Sequence, residues 1–499
     1  MKYVRVPREL HTSDVLAEEA CFSPGRYVRF VPPRNTGASH YVPLDKLAVV
    51  RDEPVKVQKG EAYRYAEIGD INVANGGVSF REMKGYRLPT ERPARAENGD
   101  VLISTVRTYR KGIGLVTDGG SNLVTTNAML NLCAVTDFAL GATLPYIFAF
   151  LRSDFFVEQV WSLLNRGVYP RMDTGALGKI VLPVSNDRNV CDYVSALALS
   201  IADKERCIRS RNDQIHAQIE AELALNQTGK AFQYAHPTLD ELRSTLRLDT
   251  GLYCRGFRAF QHRVNNYRHG ATTLSAMGVR SKRGPNLAVS VIGKSLYSEA
   301  PKAGWYELIR PVNISSYGTL IGREWFGNRT RLSLVNRGEI VFGCEATWRS
   351  VVLLDEMERC TTNFHGTVMY WPGAAIPDVI WLHTMLGFLR EAGVLKHIAV
   401  GGQGGHLSPD YFDYIPLPKF PDSVRKCIAG LYHNPGTPPA RKATLANFVT
   451  WHREWNEGLG IWELDRELKA LQRTLADVQE QIIEGRTVTV PFECRPHRA

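Results

Sequence analysis

The sequence lacks the marks of a metal, disulfide or membrane protein. Nine cysteines are scattered without a CxxC pair, and thirteen histidines include no HExxH motif, so neither a zinc site nor a disulfide framework is indicated. The longest apolar stretch, TLPYIFAFL, is broken by Arg152 and Asp154, well short of the ~20 residues that a membrane span needs. The opening residues, MKYVRVPRELHTSD, contain no apolar core of a signal peptide. We therefore expect a cytoplasmic protein with no membrane partner.

Motifs for catalysis are missing as well. The chain has no Asn/Asp-Pro-Pro-aromatic tetrapeptide of amino methyltransferases, and no GxGxxG motif follows a strand, so no S-adenosylmethionine site is visible. The stretch VIGKS is similar to a phosphate loop, but Ala288 stands where that pattern requires glycine. The sequence predicts no catalytic residue, metal or cofactor in this chain.

The composition is that of a soluble globular protein with a basic surface. The chain has 499 residues, 44% hydrophobic and 22% charged, which predicts two to four domains. A net charge of +10 favours a polyanionic partner, although many basic proteins bind no nucleic acid.

An internal repeat organises the chain. ENGDVLIST, LVTTNAM and NRGVYPRMDTGALGKIVLP in the first half correspond to NRGEIVFGC, RCTTNFH and VGGQGGHLSPDYFDYIPLP in the second. The offset between matching positions changes only from 239 to 235 residues. In chain order the landmarks pair as Gly99 with Gly338, Thr125-Thr126-Asn127 with Thr361-Thr362-Asn363, Gly167 with Gly402, and Pro183 with Pro418. The pattern predicts a duplicated domain.

Each copy has the pattern of an α/β domain. Residues 100–104 and 339–343 are short apolar runs after a glycine turn, which is typical of buried strands. Residues 144–164 and 377–398 are apolar at helical spacing.

A long helix is predicted after each copy. Residues 190–226 contain no glycine or proline, and residues 445–486 contain no proline. Each stretch carries an apolar stripe, and the first is interrupted by Lys204 and Arg211. We name the following residues the helix-pair seam, because two such stripes are most economically buried on each other: Val194, Leu197, Ile201, Ile208, Ile215 and Ile219 with Ile461, Leu464, Leu468, Leu471, Leu475, Val478 and Ile482.

This order of parts resembles the specificity subunit of type I restriction–modification enzymes. The resemblance rests on YAEIGDINVANGGV, NGDVLIST and GALGKIVLP with GGQGGHLSPDYFDYIPLP, on the helix after each copy, and on LRLDTGLYCRGFRAF. It implies a mixed α/β fold, with two duplicated target-recognition domains separated by two long antiparallel helices that form a coiled coil. The boundaries are then 1–189 for the first domain, 190–226 for the first helix, 227–432 for the second domain, 445–486 for the second helix, and 487–499 for a tail without a counterpart.

The resemblance also implies partners. Each domain would read one half of a split, asymmetric site on double-stranded DNA. The helices would dock two adenine methyltransferase subunits, which would use S-adenosylmethionine, and a full restriction system would add ATP-dependent restriction subunits. Two alternatives remain open: the specificity subunit of a different methylation-based phage-defence system, and a coiled-coil scaffold that binds no nucleic acid.

Candidate DNA contacts lie in loops, most of which recur in both copies. For each of them a solvated or purely structural loop remains the alternative. GGQ, a tripeptide also found in peptide release factors, is absent from the matching loop of the first copy, which disfavours a hydrolytic role. The candidates are Arg107, Tyr109, Arg110 and Lys111 after the first buried strand, Trp348 and Arg349 at the matching place, Arg166, Tyr169 and Arg171 in the first glycine loop, Gln403 and His406 in the second, and Arg280, Lys282 and Arg283 for phosphates.

Overall fold

The chain forms two compact mixed α/β units. The first unit comprises Met1–Cys207, Thr437–Gly458 and Leu464–Ala499, and the second comprises Ile208–Gly436 and Leu459–Glu463. The structure, a computed structural model, describes residues 2–17, 27–34, 36–51, 53–90, 92–117, 120–136, 141–163, 171–172, 174–229, 231–345, 347–401 and 405–492. Within these ranges, no helix combines the length and the apolar composition of a membrane span.

The strands of the first unit are short and its helices flank them. The strands are β1 (Val4–Arg5), β2 (Arg29–Phe30), β3 (Ser39–Pro43), β4 (Ala48–Val50), β5 (Ala62–Ala66), β6 (Arg81–Lys84), β7 (Ala94–Arg95), β8 (Val101–Ser104), β9 (Ile113–Leu115), β10 (Leu123–Thr125), β11 (Met129–Val135) and β12 (Val181–Ser185). The helices are α1 (Thr12–Ala17), α2 (Leu44–Leu47), α3 (Leu144–Leu151), α4 (Asp154–Leu163) and α5 (Arg188–Leu225), the last of which continues into the second unit.

The second unit contains the remaining strands and most of the remaining helices. The strands are β13 (Ala271–Thr272), β14 (Arg280–Arg283), β15 (Leu296–Ser298), β16 (Tyr306–Ile309), β17 (Trp325–Gly327), β18 (Ile340–Gly343), β19 (Ser350–Val352), β20 (Cys360–Thr362), β21 (Gly366–Tyr370) and β22 (Leu417–Pro418). The helices are α6 (Leu239–Thr245), α7 (Arg255–Asn265), α8 (Val289–Ile292), α9 (Ile376–Glu391), α10 (Leu395–Ile398) and α11 (Asp422–Tyr432), followed along the chain by α12 (Phe448–Gly458) and α13 (Ile461–Ile483).

Two four-stranded sheets form the body of the first unit. One has the order β6-β5-β10-β7, in which β5 and β10 run parallel, and the other is the antiparallel sheet β4-β11-β8-β9. All four residues of β8 are buried, as its continuous apolar sequence VLIS predicts. Gly99, with φ of 95°, makes the turn into β8 in a conformation that favours glycine.

The strand pairing of the second unit is similar, except that its edge strand β15 lies beside β17, whereas β7 of the first unit lies beside β10. Its sheets have the orders β15-β17-β16-β20 and β14-β21-β18-β19, and β16 and β20 run parallel. The buried strand β18 lies between β21 and β19, as β8 lies between β11 and β9. Gly338, with φ of 82°, makes the turn into β18. The predicted buried strands at 100–104 and 339–343 are therefore confirmed to within one residue.

The predicted helices are present, but three of them are broken. The stretch 144–164 forms α3 and α4, because the Ser153 side chain accepts a hydrogen bond from the Phe156 N–H and so caps a new helix. The stretch 377–398 forms α9 and α10 on either side of Gly393, whose φ is 73°. Helix α5 matches the prediction of 190–226 to within two residues.

The prediction of one continuous helix over 445–486 is wrong. Helix α12 ends at Gly458, and α13 begins at Ile461. Gly460 is the cause: a Cβ there would lie 2.6 Å from the Tyr432 carbonyl oxygen, and the Gly460 N–H donates to the Asn434 carbonyl oxygen at 3.0 Å. A backbone held this closely against another segment does not continue a helix.

The side chains of the helix-pair seam are largely buried. In the first unit, Val194, Leu197, Val478 and Ile482 share one apolar core with residues of α3, α4, β8 and β9. The buried seam residues are Val194, Leu197, Ile201, Leu464, Leu468, Val478 and Ile482 in the first unit and Ile208, Ile215, Ile219 and Ile461 in the second, while Leu471 and Leu475 are partly buried at the edge of the first unit's core. A coiled-coil geometry stays a prediction.

Candidate nucleic-acid interface

In the first unit, the loop after β8 has a strained backbone. Arg107 and Lys111 have φ of 50° and 60° and enclose a single 3₁₀ turn, Thr108–Arg110. The left-handed region costs a residue other than glycine about 1–2 kcal/mol. The buried Thr108 hydroxyl donates to the Ser104 carbonyl oxygen at 2.6 Å, which ties the turn to the end of β8. Such strain persists only where surrounding contacts fix it, and it is concentrated at functional sites.

Several side chains hold this loop in place. The Tyr109 ring lies 4.7 Å from the Trp161 ring, and Lys111 Nζ donates to Asp154 Oδ1 at 2.7 Å. Arg152 donates to the carbonyl oxygens of Ile113 at 3.0 Å and Val73 at 2.9 Å, and burial lowers the pKa of its guanidinium to about 10. Of the four candidates in this loop, Arg110 is the exposed one.

The structure brings the first glycine loop to the same place. Arg171 forms a β-bridge with Val106, and the Met172 N–H donates to the Thr105 carbonyl oxygen at 2.8 Å. The exposed Arg171 therefore lies beside the strained turn. The other two candidates of that loop, Arg166 and Tyr169, lie outside the described residues.

The second unit repeats this junction. His406 forms a β-bridge with Glu345, and the Leu407 N–H donates to the Cys344 carbonyl oxygen at 2.9 Å. Trp348 has φ of 45°, so this loop also contains a strained residue. Gly405 permits the close packing, since a Cβ there would lie 3.1 Å from Cζ2 of the Trp348 ring. The candidate Gln403 lies outside the described residues.

Arg349 and Arg283 contact the protein itself. Arg349 Nη1 donates to the Ile314 carbonyl oxygen at 3.0 Å, and burial lowers the pKa of its guanidinium, which favours a structural role. Arg283 lies 3.7 Å above the Phe364 ring, and its Nε donates to the Phe364 carbonyl oxygen at 2.9 Å.

Arg280 and Lys282 lie on an edge strand rather than in the solvated loop that was the alternative for GVRSKRGPN. Within the described part of the chain, strand β14 pairs with β21 alone. Both side chains are exposed, and they lie on one face of the strand because side chains alternate along it. Among the described residues, neither has an acidic partner, so both are available to a phosphate.

A third loop meets the other two in each unit, and it contains residues that the sequence alone did not suggest. The repeated Thr-Thr-Asn turns lead to Ala128 and His365. The Thr105 N–H donates to the Ala128 carbonyl oxygen, and the Cys344 N–H donates to that of His365, both at 2.9 Å. The repetition of the turn was the available signal, but a repeated turn or cap explains it as well as a contact does.

Two missed residues, Glu345 and His365, lie close to the candidate His406 in the second unit. His365 Nδ1 lies 2.8 Å from Glu345 Oε2, and His406 Nδ1 lies 3.5 Å from Glu345 Oε1. The hydrogen bond with His365 is the largest cause that lowers the pKa of the Glu345 carboxyl. Phe364 is 41% exposed beside these residues. In the ranges that the structure describes, no three His, Cys, Asp or Glu residues could hold a metal ion together.

Comparison with known proteins gives structural similarities alone. No protein-family model matches the chain, and no curated protein matches it. The type I restriction–modification S subunit from M. genitalium is 12% identical with a TM-score of 0.35, over 91% of this chain and 98% of that one. The HsdS subunit from Thermoanaerobacter tengcongensis is 15% identical with a TM-score of 0.32, over 91% and 98%. A chain from a study of complex assembly and conformational transition of the type I R-M system is 15% identical with a TM-score of 0.32, over 91% and 100%. The chain is thus similar to specificity-subunit structures along most of its length, at TM-scores too low to carry an argument about function.

Proposed function

We propose that this chain is a DNA-binding subunit that recognises a bipartite, asymmetric site through two duplicated recognition domains. The chain itself would perform no catalysis and hold no cofactor. It would direct adenine methyltransferase subunits, which use S-adenosylmethionine, to the selected site in the cytoplasm. In a full restriction system it would also direct ATP-dependent restriction subunits.

One observation carries the proposal: the same junction of three loops occurs in both units. In each unit the loop after the central buried strand contains a strained residue. The same loop pairs with the end of a glycine loop, through Val106 and Arg171 in the first unit and through Glu345 and His406 in the second. The Thr-Thr-Asn turn lies beside that pair in both. The conformation of the junction recurs while its side chains differ, which is expected of two domains that bind the same polymer at different sequences.

Exposed basic side chains in both units support the proposal that this chain contacts DNA phosphates. Arg110 and Arg171 are exposed at the junction of the first unit, and Arg280 and Lys282 are exposed on the edge strand of the second. Contacts of this kind supply affinity without sequence information, and base edges supply specificity.

The length of helix α5 suits a role as a spacer between the two recognition domains. Helix α5 has 38 residues, which corresponds to roughly 57 Å at ~1.5 Å per residue. One turn of DNA is about 34–36 Å, so two domains carried by such a helix could bind segments at least a turn apart. We include in the proposal that α5 and α13 pair in antiparallel fashion along the helix-pair seam.

Salt-dependent binding separates this function from a scaffold. The full-length chain is titrated with a random-sequence duplex between 50 and 200 mM salt, an interval over which about 6–10 phosphate contacts would weaken binding by about 10³–10⁵-fold. A scaffold that binds no nucleic acid predicts no binding in this titration, and a DNA-modifying enzyme predicts turnover by the isolated chain.

Methylation mapping tests the partner side of the proposal. In a host that carries the chain and its methyltransferase, methylated adenines should lie in a bipartite motif. Exchange of residues 1–190 should change one half of the motif alone. A change in both halves, or a continuous motif, contradicts independent recognition by the two domains.

A further inference from the structure

The two junctions differ most in the chemistry of their bridging pair. In the first unit the β-bridge joins Val106, which is apolar, to the exposed Arg171. In the second unit the corresponding bridge joins Glu345 to His406. A carboxylate therefore occupies, in the second unit, the position at which the first unit has no hydrogen-bonding side chain.

The Glu345 carboxylate is positioned but not saturated. One oxygen bonds His365 Nδ1 at 2.8 Å, and the other lies 3.5 Å from His406 Nδ1. A carboxylate has about four lone-pair positions, so at least two remain for a ligand. The side chain is 42% exposed, and the flanking imidazoles are 52% and 31% exposed, which leaves the group accessible from the surface.

The surroundings favour a nucleic-acid ligand over a free cation. Arg283 lies over the Phe364 ring at 3.7 Å, and its charge acts on Glu345. Arg280 and Lys282 are exposed on the same strand as Arg283. A carboxylate among basic and aromatic side chains repels phosphate, so its presence on such a surface is explained if it accepts a hydrogen bond from a donor group of a base.

We propose that Glu345 is a specificity-determining residue of the second unit, whose carboxylate accepts a hydrogen bond from the exocyclic amino group of a base, cytosine foremost, in the major groove. Cytosine N4 donates to glutamate or aspartate in this way, whereas arginine reads the O6 and N7 acceptors of guanine. In the first unit the residue matching Glu345 is Val106, which has no hydrogen-bonding side chain, and its bridge partner is the exposed Arg171, so the two half-sites would differ at this position. The inference rests on the proposed function and names the chemistry of one contact within it.

The alternative is that Glu345 only orders the loops through its two histidines. A purely structural role predicts that its removal lowers affinity equally for every duplex or lowers the melting temperature. Base recognition predicts a loss of discrimination at one position of one half-site. The two roles therefore differ in a base-specific measurement.

The test is selection from a randomised duplex library with the full-length wild-type chain and the variants Glu345→Gln and Glu345→Ala. Glu356→Gln is the matched control, because it removes the same charge in the same unit at a side chain that is 82% exposed. Glu356 follows β19, and the chain from β19 leads away from the junction, since Val352 pairs with Ile340 at the start of β18. Thermal melting of all four chains checks that they are folded.

We expect one cytosine-preferring position in the wild-type motif, and a loss of discrimination at that position of about 5- to 150-fold in Glu345→Ala. Glu345→Gln should shift the preference toward adenine, because an amide offers the donor and acceptor that adenine N6 and N7 require. The other half of the motif, and the motif of Glu356→Gln, should be unchanged.

An unchanged base preference in both Glu345 variants, with or without a uniform loss of affinity, overturns the inference while the proposed function stands. If the wild-type chain selects no sequence motif, the inference and the proposed function both fail. If Glu345→Ala does not fold, Glu345→Gln, which keeps an acceptor for His365, decides alone.

Discussion

Lys204 Nζ donates a hydrogen bond to Asn456 Oδ1 at 2.7 Å, and both side chains are buried. Lys204 belongs to α5 and Asn456 to α12, within the first unit. The ammonium group also lies 5.2 Å from the Trp455 ring. The sequence suggested that Lys204 weakens the apolar stripe of its helix, but the structure gives this lysine a partner. A buried polar pair in an apolar contact favours one register, because a shift would leave the charge without its acceptor.

The first prediction is a strong coupling between these two residues. Asn456→Ala should lower the free energy of unfolding of the first unit by about 1.5–3 kcal/mol, because it leaves a buried ammonium without its acceptor. The double variant Lys204→Met with Asn456→Leu should be close to wild type in stability or more stable. Urea unfolding of Lys204→Met, Asn456→Leu and this double variant measures the coupling, and additive effects would refute it.

The second prediction concerns alkaline pH. Burial lowers the pKa of Lys204 to about 8, whereas the unfolded chain has a lysine pKa of about 10.4. Between these values the unfolded state binds more protons, so this lysine makes stability rise with pH. Relative to Lys204→Met, the wild type should gain about 1–2 kcal/mol from pH 8 to 9.5 in urea unfolding. A constant difference between the two proteins would show that Lys204 keeps an ordinary pKa.

The third prediction is a smaller salt dependence when the edge-strand charges are removed. If Arg280 and Lys282 each contact a phosphate, the double variant Arg280→Gln with Lys282→Gln should reduce the slope of log affinity against log salt by about 1.8. The matched control is Arg337→Gln with Lys426→Gln, which removes the same charge from side chains that pair with Glu356 and Asp422. An equal reduction in both variants would mean that net charge, rather than these contacts, determines the slope.

The fourth prediction tests the packing of the second junction. Gly405→Ala places a Cβ 3.1 Å from both the Trp348 ring and the Ala399 Cβ, at a residue with φ of 59°. This variant should shift the tryptophan fluorescence emission and weaken binding to the selected duplex by about tenfold. The reason is that the Trp348 ring or the loop backbone must move by a few tenths of an ångström to accommodate the new Cβ. Gly401→Ala is the control, because its φ of 96° is also unfavourable for alanine but no atom lies within 4 Å of its Cβ position. Equal effects of the two variants would assign the loss to backbone strain.

Much of the fold could be predicted from the sequence, because the patterns that determine strands and helices are local and occur in both copies of the repeat. Buried runs after a glycine identified β8 and β18 to within one residue, and the apolar stripe identified α5. The break at Gly460 was not predictable, because it depends on the approach of Tyr432 and Asn434, which are distant along the chain.

The site was predicted less completely for a related reason. The repeat indicated which loops correspond, but not the direction of a side chain, and Arg349 turned out to donate to the Ile314 carbonyl oxygen. Glu345 and His365 were missed because their contact joins two loops, and because the residue matching Glu345 in the first unit is Val106. Residues that read different bases are expected to differ between copies, so repetition identifies the surface and not its specificity.

The central claim is that two recognition domains read two separate short sequences. The most direct measurement is selection of a randomised duplex by the isolated full-length chain, followed by sequencing of the bound fraction. We expect two short conserved blocks separated by a spacer of fixed length and no base preference. A single continuous block, or a bound fraction with no enriched sequence, would contradict the claim.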